Sequence, residues 1–331
     1  MKAIVLDGFG SPEVMHVGQV DAPRPAQGQL LIRVHATSVN RPDLIQRRGQ
    51  YPPPKGDSEI LGLEVAGTVE ALGPGAEGFA PGDAVLALIG GGGYAEFAVA
   101  HAAHTLRKPE SMSFEAAACI CETYITAYMN LFRGARLLDG ETVLLHGGGG
   151  GVNTAALQLC RTLTPASRVL VTASAHKLAR VRDLGADLAI DYRGEDFAAA
   201  ALAFTDGKGV DVILDHLGAS YFERNLKALA VGGRLAIIAT MGGREATLDI
   251  GRLMVKRQTI MGSVLRPRPV EDKAAIIADF ERAVMPLFES GRIAPLIHTV
   301  LPLEEAAAAH RMMEASEHFG KIVLTLQSNV E

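Results

Sequence analysis

The sequence predicts an α/β fold in which a mainly β unit precedes a doubly wound parallel sheet. Three observations lead to this prediction. Residues 1–118 combine short β-like runs with frequent glycine and proline. From about residue 120 to 260, short apolar strands alternate with helix-forming segments, a pattern typical of a parallel sheet covered on both faces. A run of five glycines, residues 147–151, separates one of these strands from a helix.

The β unit is indicated by strand-like segments between strong turn signals. The clearest strands are 30–34 and 64–70, and the turns are 73–75 and 81–83. The C-terminal part adds helices near 271–290 and 303–315 and a closing strand at 321–326. In the middle of the chain we predict strands at 142–146, 168–173, 187–190, 211–215 and 234–239, and helices at 152–164, 176–184 and 221–230.

Composition bounds the class of protein. The chain has 331 residues, more than one hydrophobic core usually serves, so two domains are expected. A formal net charge of −5 without a basic block disfavours a nucleic-acid partner. No apolar run reaches the roughly 18 residues of a membrane span, so no membrane association is expected. Three cysteines, Cys119, Cys121 and Cys160, do not suggest a disulfide framework and favour a reducing, cytoplasmic compartment.

The glycine run has the context of a dinucleotide site. It follows the apolar segment Thr142–Leu145 and precedes the helix-forming segment Thr154–Cys160. Glycines let the backbone approach a pyrophosphate closely, and the helix N-terminus offers free N–H groups and a partial positive charge. Asn153 stands where the fingerprint has its third glycine. Because that glycine serves helix–strand packing, we expect Asn153 to weaken the packing without abolishing cofactor binding.

The end of the second strand favours NADPH over NADH. NAD sites place Asp or Glu there for the ribose hydroxyls, whereas cations and hydroxyls suit a 2′-phosphate. Residues 172–180 contain no carboxylate, and they offer the hydroxyl of Ser174 and the ammonium of Lys177. Arg180 lies one turn further along and is expected to face solvent.

Several motifs in one order resemble a known family. They are Ser38–Asp43, Leu61–Gly67, Gly78–Val85, the glycine run, Ser263–Arg266 and Gly320–Leu324. Over nearly its whole length the chain resembles the zinc-independent quinone oxidoreductases, the zeta-crystallin-like branch of the medium-chain dehydrogenase/reductases. The resemblance implies a GroES-like β domain, residues 1–120 and 262–331, around a Rossmann NADPH-binding domain, residues 121–261.

The resemblance also argues against a metal site. Zinc-dependent relatives hold their catalytic metal with Cys and His, whereas this chain has Asn40 and Asp43 in the early segment. Their Gly-His-Glu element reads Gly62–Glu64 with a central leucine, which cannot ligate metal. No lobe of four cysteines is present, and two of the three lie at an unusual Cys-x-Cys spacing.

The resemblance implies the residues of the site. Asn40 and Tyr51 are the expected catalytic residues, donating hydrogen bonds to a substrate carbonyl as negative charge develops. Thr126 is expected under the nicotinamide or its phosphate, and Tyr192 near the adenosine 2′-phosphate. The full set of expected cofactor-binding residues is Asn40, Thr126, Gly148, Gly149, Gly150, Gly151, Val152, Ser174, Lys177, Tyr192, Thr240, Met241, Gly242, Val264, Leu265, Arg266 and Lys321. Asp43, Glu64 and Asp215 are expected to be structural.

NADPH-dependent reduction of a quinone is the expected function, because hydride transfer to a quinone needs orientation and polarisation but no strong general acid. One alternative is reduction of an activated C=C bond in an enone or enoyl thioester, with Tyr51 as proton donor and Arg47, Arg48 and Lys55 lining a cationic entrance. A non-catalytic NADPH-binding role is the other alternative. Edge strands at 234–239 and 259–265 are expected to pair across a two-fold, giving a homodimer or a tetramer.

Overall fold

The computed structural model describes residues 1–326, which form two compact units. The first contains residues 1–125 and the C-terminal part from 265 onward, and the second contains residues 126–264. The domain boundaries predicted after residues 120 and 261 fall near these junctions and stay predictions. Residues 327–331 of the predicted C-terminal segment lie outside the described part of the chain. No helix within residues 1–326 is long and apolar enough to cross a membrane.

The described residues contain the following strands and helices. The strands are β1 (Lys2–Leu6), β2 (Met15–Gln19), β3 (Gln29–Ser38), β4 (Glu64–Leu72), β5 (Ala84–Leu88), β6 (Phe97–His101), β7 (Thr105–Arg107), β8 (Thr142–His146), β9 (Arg168–Ala173), β10 (Leu188–Asp191), β11 (Val210–Asp215), β12 (Leu229–Ile237), β13 (Thr259–Gly262), β14 (Ile297–Pro302) and β15 (Lys321–Thr325). The helices are α1 (Arg41–Arg47), α2 (Phe114–Ala117), α3 (Thr123–Tyr128), α4 (Gly151–Leu163), α5 (Leu178–Asp183), α6 (Phe197–Phe204), α7 (Ala219–Ala228), α8 (Ile250–Lys256), α9 (Val270–Glu289) and α10 (Ala306–Ala315).

The second unit is a parallel six-stranded sheet with the order β10-β9-β8-β11-β12-β13. This order starts at a central strand and moves outward twice in opposite directions, which defines a doubly wound Rossmann sheet. All five residues of β8 are buried, as expected for a strand covered on both faces. The predicted α/β class and Rossmann sheet are confirmed.

The first unit is built around a seven-stranded, mostly antiparallel sheet. Its central strand β3 pairs with β4 and β6 from the N-terminal part and with β15 from the C-terminal part. The predicted mainly β unit is confirmed, and its sheet combines strands from both chain ends. The pairing of β15 with β3 sets Val323 opposite Ser38, so the start of β15 lies beside the end of β3.

Two helices of the second unit were missing from the sequence-based prediction. Helix α6 is apolar nearly all round, so it has no amphipathic period to detect, although Asp196 caps its first turn by accepting from the Ala198 N–H. Helix α8 begins after a similar cap, where Asp249 accepts from the Arg252 N–H. Strand β12 also begins five residues before the predicted 234–239, because it continues through a glycine pair.

Candidate active site

At the first two glycines after β8 there is no space for a side chain. Gly147 has a φ of +78°, and a Cβ there would lie 2.5 Å from Cε1 of His216. A Cβ on Gly148 would lie 2.4 Å from Cγ1 of Val171 in the neighbouring strand. Only glycine satisfies both positions, so this turn brings bare backbone to the carboxyl edge of the sheet.

The next two glycines differ from each other. A Cβ on Gly149 would lie 2.6 Å from Cδ of Lys177, whose side chain therefore lies across the turn. Gly150 caps α4 with a φ of −83°, and the nearest atom to a Cβ there is 3.5 Å away. A side chain at Gly150 would therefore make only an ordinary van der Waals contact within the protein. Gly151 and Val152 open that helix and present its first N–H groups.

Asn153 joins this helix to the sheet. The side chain is buried, and its Nδ2 donates to the backbone carbonyls of His146 and Gly147, the latter at 3.2 Å. Sequence reasoning placed Asn153 in the helix–strand contact, and that is where it lies. The hydrogen bonds do not support the predicted weakening of the helix–strand contact, because a glycine at this position would supply neither of them.

The histidine at the end of β8 is buried as a neutral ring. His146 contacts Thr172 Oγ1 at 3.0 Å through Nδ1 and Asn225 Oδ1 at 2.8 Å through Nε2. Thr172 Oγ1 in turn accepts from the Gly147 N–H at 3.2 Å. Burial lowers the pKa of His146 to about 3, so the ring supports the glycine turn in its uncharged form.

We expect acid to destabilise the protein through this ring. In the unfolded chain His146 titrates near pH 6.5, well above the folded-state pKa of about 3. Its contribution is therefore fully present above pH 6.5 and is lost as the pH falls toward 3, by about 2 kcal/mol between pH 6.5 and 5. His146→Gln should flatten the pH dependence of the unfolding free energy in this range, measured by denaturant titration. The exposed His16→Gln is the control and should leave the slope unchanged; equal slopes in all three proteins would contradict the assignment.

The predicted phosphate-binding residues come together at the carboxyl edge of the sheet. Ser174 and Lys177 follow β9, and Tyr192 follows β10, whose last residue pairs with the last residue of β9. Ser174 and Lys177 are each only 8% exposed, so Lys177 is not an ordinary surface lysine. The structure thus places a hydroxyl and an ammonium at the end of β9, near the glycine turn, and an aromatic residue directly after the neighbouring strand β10.

The turn after β12 is tied to the end of β11. Met241 N–H donates to the His216 carbonyl at 3.1 Å, and Gly242 N–H donates to the Leu217 carbonyl at 2.7 Å. Thr240, Met241 and Gly242 are exposed. At the end of β11, the Asp215 carboxylate accepts from two backbone N–H groups of the same loop, which agrees with its predicted structural role. Thr126 is half-buried on α3, where its carbonyl accepts from Asn130.

The first unit contains a buried polar cluster of Ser38, Asn40, Glu64 and Lys321. Lys321 Nζ donates to Asn40 Oδ1 at 2.6 Å, to Glu64 Oε1 at 3.0 Å and to the Val39 carbonyl at 3.3 Å. Asn40 Nδ2 donates to Glu64 Oε1 at 3.0 Å and to the Ser38 carbonyl at 3.2 Å. Ser38 Oγ donates to the same Glu64 oxygen at 2.6 Å.

These contacts correct two predictions. All three hydrogens of the Lys321 ammonium and both hydrogens of the Asn40 amide already have acceptors. Asn40 is 5% exposed and Lys321 is 3% exposed. Asn40 therefore has no free amide hydrogen to give a substrate carbonyl, and Lys321 holds Asn40 in place rather than contacting a cofactor with its ammonium.

The predicted catalytic tyrosine is held by an arginine. The Arg266 guanidinium lies 5.1 Å from the centre of the Tyr51 ring and donates to the Gly90 carbonyl and to Gln46 Oε1, each at 2.8 Å. The Tyr51 hydroxyl has no hydrogen bond to any residue in the described 1–326. Leu265 is buried beside Arg266, whereas Val264 is 48% exposed. The Arg266 side chain is thus engaged within its own unit, so its predicted cofactor contact rests on its backbone alone.

Sequence reasoning missed Glu122. Its backbone N–H donates to Glu64 Oε2 at 2.9 Å, which fixes it to the carboxylate that also holds Asn40. The Glu122 side chain is half-buried, and burial together with the Glu64 charge raises the pKa of its carboxyl to about 8. No spacing or motif around Cys121–Thr123 signals this environment, because it is created by strands distant in the sequence.

The proposed cationic entrance is not formed as predicted. Arg47 is fully buried, and its guanidinium donates to His310 Nδ1 at 3.0 Å and to Glu314. Arg48 also pairs with Glu314, and Lys55 is exposed. Arg47 is therefore removed from the entrance. Among residues 1–326, no group of three or more His, Cys, Asp or Glu side chains is placed to hold a metal ion.

Known proteins match the chain along nearly its whole length. A family model described as "Alcohol dehydrogenase GroES-like domain" matches residues 26–110, and one described as "Zinc-binding dehydrogenase" matches residues 184–324. The quinone oxidoreductase of Lama guanicoe is 35% identical over 333 residues, covering 99% of this chain and 98% of the relative. The synaptic vesicle membrane protein VAT-1 homolog of Danio rerio is 32% identical over 342 residues, covering 98% of this chain and 70% of the relative.

Solved structures show the same fold. A mycobacterial protein complexed with NADPH has a TM-score of 0.87 at 32% identity, covering 98% of this chain and 100% of its own. An NAD-dependent alcohol dehydrogenase has a TM-score of 0.87 at 34% identity, covering 99% and 100%. The CurK enoyl reductase has a TM-score of 0.86 at 25% identity, covering 98% and 99%. These proteins are named for both nicotinamide cofactors and for more than one reaction.

Proposed function

Because the chain belongs to the medium-chain dehydrogenase/reductase superfamily, with quinone oxidoreductases among its full-length relatives, we propose that it reduces a quinone with NADPH and without a metal ion. The observation that supports the cofactor choice is Lys177, whose side chain lies across Gly149 beside the start of α4. The choice of a quinone as acceptor rests on the relatives. The choice of a metal-independent reaction rests on the polar cluster, whose one carboxylate, Glu64, is already bonded to Ser38, Asn40 and Lys321.

The residues of the second unit fit a bound dinucleotide phosphate. Gly150 carries no side chain at the N-terminus of α4, where free N–H groups favour a pyrophosphate. Ser174 and Lys177 supply a hydroxyl and a positive charge for a 2′-phosphate, and Tyr192 supplies a ring beside them. The bound nicotinamide would supply the hydride. The protein's own part is to orient the acceptor and to balance its negative charge.

Neutralising Lys177 tests the cofactor assignment. Lys177→Met keeps the aliphatic stem that packs on Gly149 and removes the charge. We expect the dissociation constant for NADPH to rise about 10- to 100-fold, because a charge-assisted phosphate contact is lost, whereas NADH binding should change less than about threefold. Titration calorimetry with both cofactors measures this. The exposed Lys208→Met is the control. A loss of equal size for NADPH and NADH would show that Lys177 does not contact the 2′-phosphate.

Reduction of an activated C=C bond is a second candidate. It is favoured by the likeness to the CurK enoyl reductase and by the Tyr51 hydroxyl, which no residue among 1–326 engages. A panel of quinones and a panel of enones, assayed by NADPH absorbance, distinguish the two reactions. Tight NADPH binding without turnover of any acceptor would instead support the non-catalytic role.

We also propose a homodimer formed along β13. This strand is the edge of the parallel sheet, and the helix before it exposes Ile250, Met254 and Val255 at 63%, 70% and 77%. An uncovered strand edge beside apolar side chains favours pairing with a second copy. Light scattering distinguishes the dimer from a tetramer. The three cysteines are free and buried, which supports the proposal of a reducing, cytoplasmic location.

A further inference from the structure

One segment of the first unit, residues 51–59, has few contacts of its own to hold it in place. None of its residues is buried, and it contains no helix or strand. The prolines at 52–54 have no N–H to donate, and the hydrogen bond from the Asp57 N–H to the Pro54 carbonyl closes a turn inside the segment itself. A segment with few buried contacts and few bonds to other elements can open on its own.

The two ends of this segment are held by two side chains that also bond to each other. Arg266 donates to the Tyr51 carbonyl at 3.3 Å, and Gln46 Nε2 donates to the Glu59 carbonyl at 2.9 Å. Arg266 also donates to Gln46 Oε1 at 2.8 Å, so one bonded pair holds both the start and the end of the segment. Through Nε, Arg266 donates to the Gly90 carbonyl at 2.8 Å, which anchors the pair to the loop after β5.

We infer that residues 51–59 form a strap and that the Gln46–Arg266 pair is the latch that holds it closed. When the latch is broken, the strap opens while the sheet of the first unit stays folded. Strap and latch lie entirely within the first unit. The strap carries the predicted catalytic tyrosine, Tyr51, so the latch also fixes the position of that ring. The consequence for catalysis rests on the proposed function, whereas the strap itself does not.

The loop after β5 has no side chains where the strap rests on it. A Cβ on Gly90 would lie 1.9 Å from Oδ2 of Asp57. A Cβ on Gly91 would lie 2.2 Å from the Ser58 carbonyl oxygen. The last part of the strap therefore lies directly against bare backbone, and its closed position requires glycine in this loop.

The planar fork of an arginine suits the latch. The three side-chain nitrogens of Arg266 donate to three different parts of the unit, namely the loop after β5, the strap and α1. A lysine carries the same charge on one nitrogen and cannot span three such acceptors. Arg266 and Gln46 are only 6% and 4% exposed, so water does not readily replace their bonds.

Proteolysis of the cofactor-free protein tests the strap. Lys55 is exposed and is the single lysine of the strap, so a protease that cleaves after lysine cuts the strap only there. We expect Arg266→Met and Gln46→Leu each to raise the rate of this cut at least about tenfold, because cleavage requires the open form. The double variant should raise the rate by less than the product of the two single effects, because the two side chains act as one pair.

Two further variants separate the latch from charge and from steric fit. Arg266→Lys keeps the positive charge and loses the fork, so its cleavage rate should rise as in Arg266→Met. Gly91→Ala leaves the latch intact and places a methyl group against the Ser58 carbonyl, so it should also open the strap. Gly91 does not have a positive φ, so its backbone accepts the alanine.

The Tyr51 hydroxyl gives a spectroscopic readout. Burial raises its pKa in the closed strap. Gln46→Leu keeps the Arg266 charge but releases the strap, so the pKa of Tyr51 should fall toward the ordinary value of about 10. The ultraviolet absorbance titration of each protein, minus that of the same protein with Tyr51→Phe, measures this. An unchanged Tyr51 titration in Gln46→Leu would contradict the release of the strap.

Arg107→Met is the matched control. Arg107 also donates to a loop carbonyl, that of Gly78 at 2.8 Å, and also lies over an aromatic ring, that of Phe79 at 5.3 Å, but both partners are outside the strap. This variant should be cut after Lys55 at the wild-type rate.

Two outcomes of the proteolysis would overturn the inference. One is cleavage after Lys55 at the wild-type rate in both Arg266→Met and Gln46→Leu. The other is an equal rise in cleavage at lysines outside the strap, because the whole unit would then be opening. A wild-type protein that reduces neither quinones nor enones would overturn the proposed function instead, and the cleavage after Lys55 would still decide on the strap.

Discussion

Replacing Lys321 with methionine is expected to lower the free energy of unfolding by about 3–5 kcal/mol, because it leaves the Glu64 carboxylate buried without a cation. The pair is almost completely removed from solvent, with 4% of the Lys321 side chain and none of the Glu64 side chain exposed. Lys321→Met also removes the donor to Asn40 Oδ1. Denaturant unfolding monitored by circular dichroism measures the loss.

The double variant Lys321→Met/Glu64→Gln separates the lost charge from lost packing. Because the neutral amide needs no cation, the double variant should recover a large part of the stability, and the double-mutant cycle should give a coupling well above that of distant sites. Lys2→Met is the matched control, since it breaks the exposed pair of Lys2 with Glu304. If Lys321→Met costs no more than Lys2→Met, the cluster does not hold the site together.

Gly148→Ala is expected mainly to lower stability and Gly150→Ala mainly to lower NADPH affinity, although the two glycines lie only two residues apart. A Cβ at Gly148 would lie 2.4 Å from Val171 and 2.9 Å from Val181, so the alanine should cost about 1–3 kcal/mol of stability by overpacking. Gly150 has an ordinary φ, and a Cβ there would make only ordinary contact with the Gly147 carbonyl oxygen at 3.5 Å. Its alanine should therefore cost no more than about 1 kcal/mol of stability, from the preference for glycine over alanine at a helix N-cap.

NADPH affinity, in contrast to stability, should be the property that Gly150→Ala changes more. If the pyrophosphate approaches the backbone at Gly150, the added methyl group lies in its path, and NADPH affinity should fall at least about tenfold. Thermal unfolding and calorimetric titration of both variants check the pair of expectations. Unchanged NADPH affinity in a stable Gly150→Ala protein would show that the phosphates do not lie at this turn.

The second unit could be predicted from the sequence because its signals are local. Buried parallel strands appear as continuous apolar runs, and β8 and β9 begin and end at the predicted residues. The placement of Ser174 and Lys177 at the end of β9 follows from the same pattern. Helix α6 could not be found in this way, because an alanine-rich segment that is apolar all round has no helical period.

The polar cluster of the first unit could not be predicted, because long-range contacts create it. Lys321 and Glu64 lie 257 positions apart in the chain and meet only because β15 is inserted beside β3. The same insertion occupies the Asn40 amide, so a residue type suited to polarising a substrate has another role here. The pKa of Glu122 is raised by burial and by the nearby Glu64 carboxylate, and Arg47 is buried only in the folded chain, so neither property is visible in the local sequence.

The central claim is that the chain is an NADPH-dependent, metal-independent reductase of conjugated acceptors. The most direct test measures kcat/KM of the wild-type protein with NADPH and with NADH against a soluble quinone, with a chelator present throughout. We expect saturable turnover that the chelator does not change, and a kcat/KM at least about tenfold higher with NADPH, because Lys177 and Ser174 favour the 2′-phosphate. Preference for NADH, loss of activity in the chelator, or no turnover of quinones and enones would contradict it.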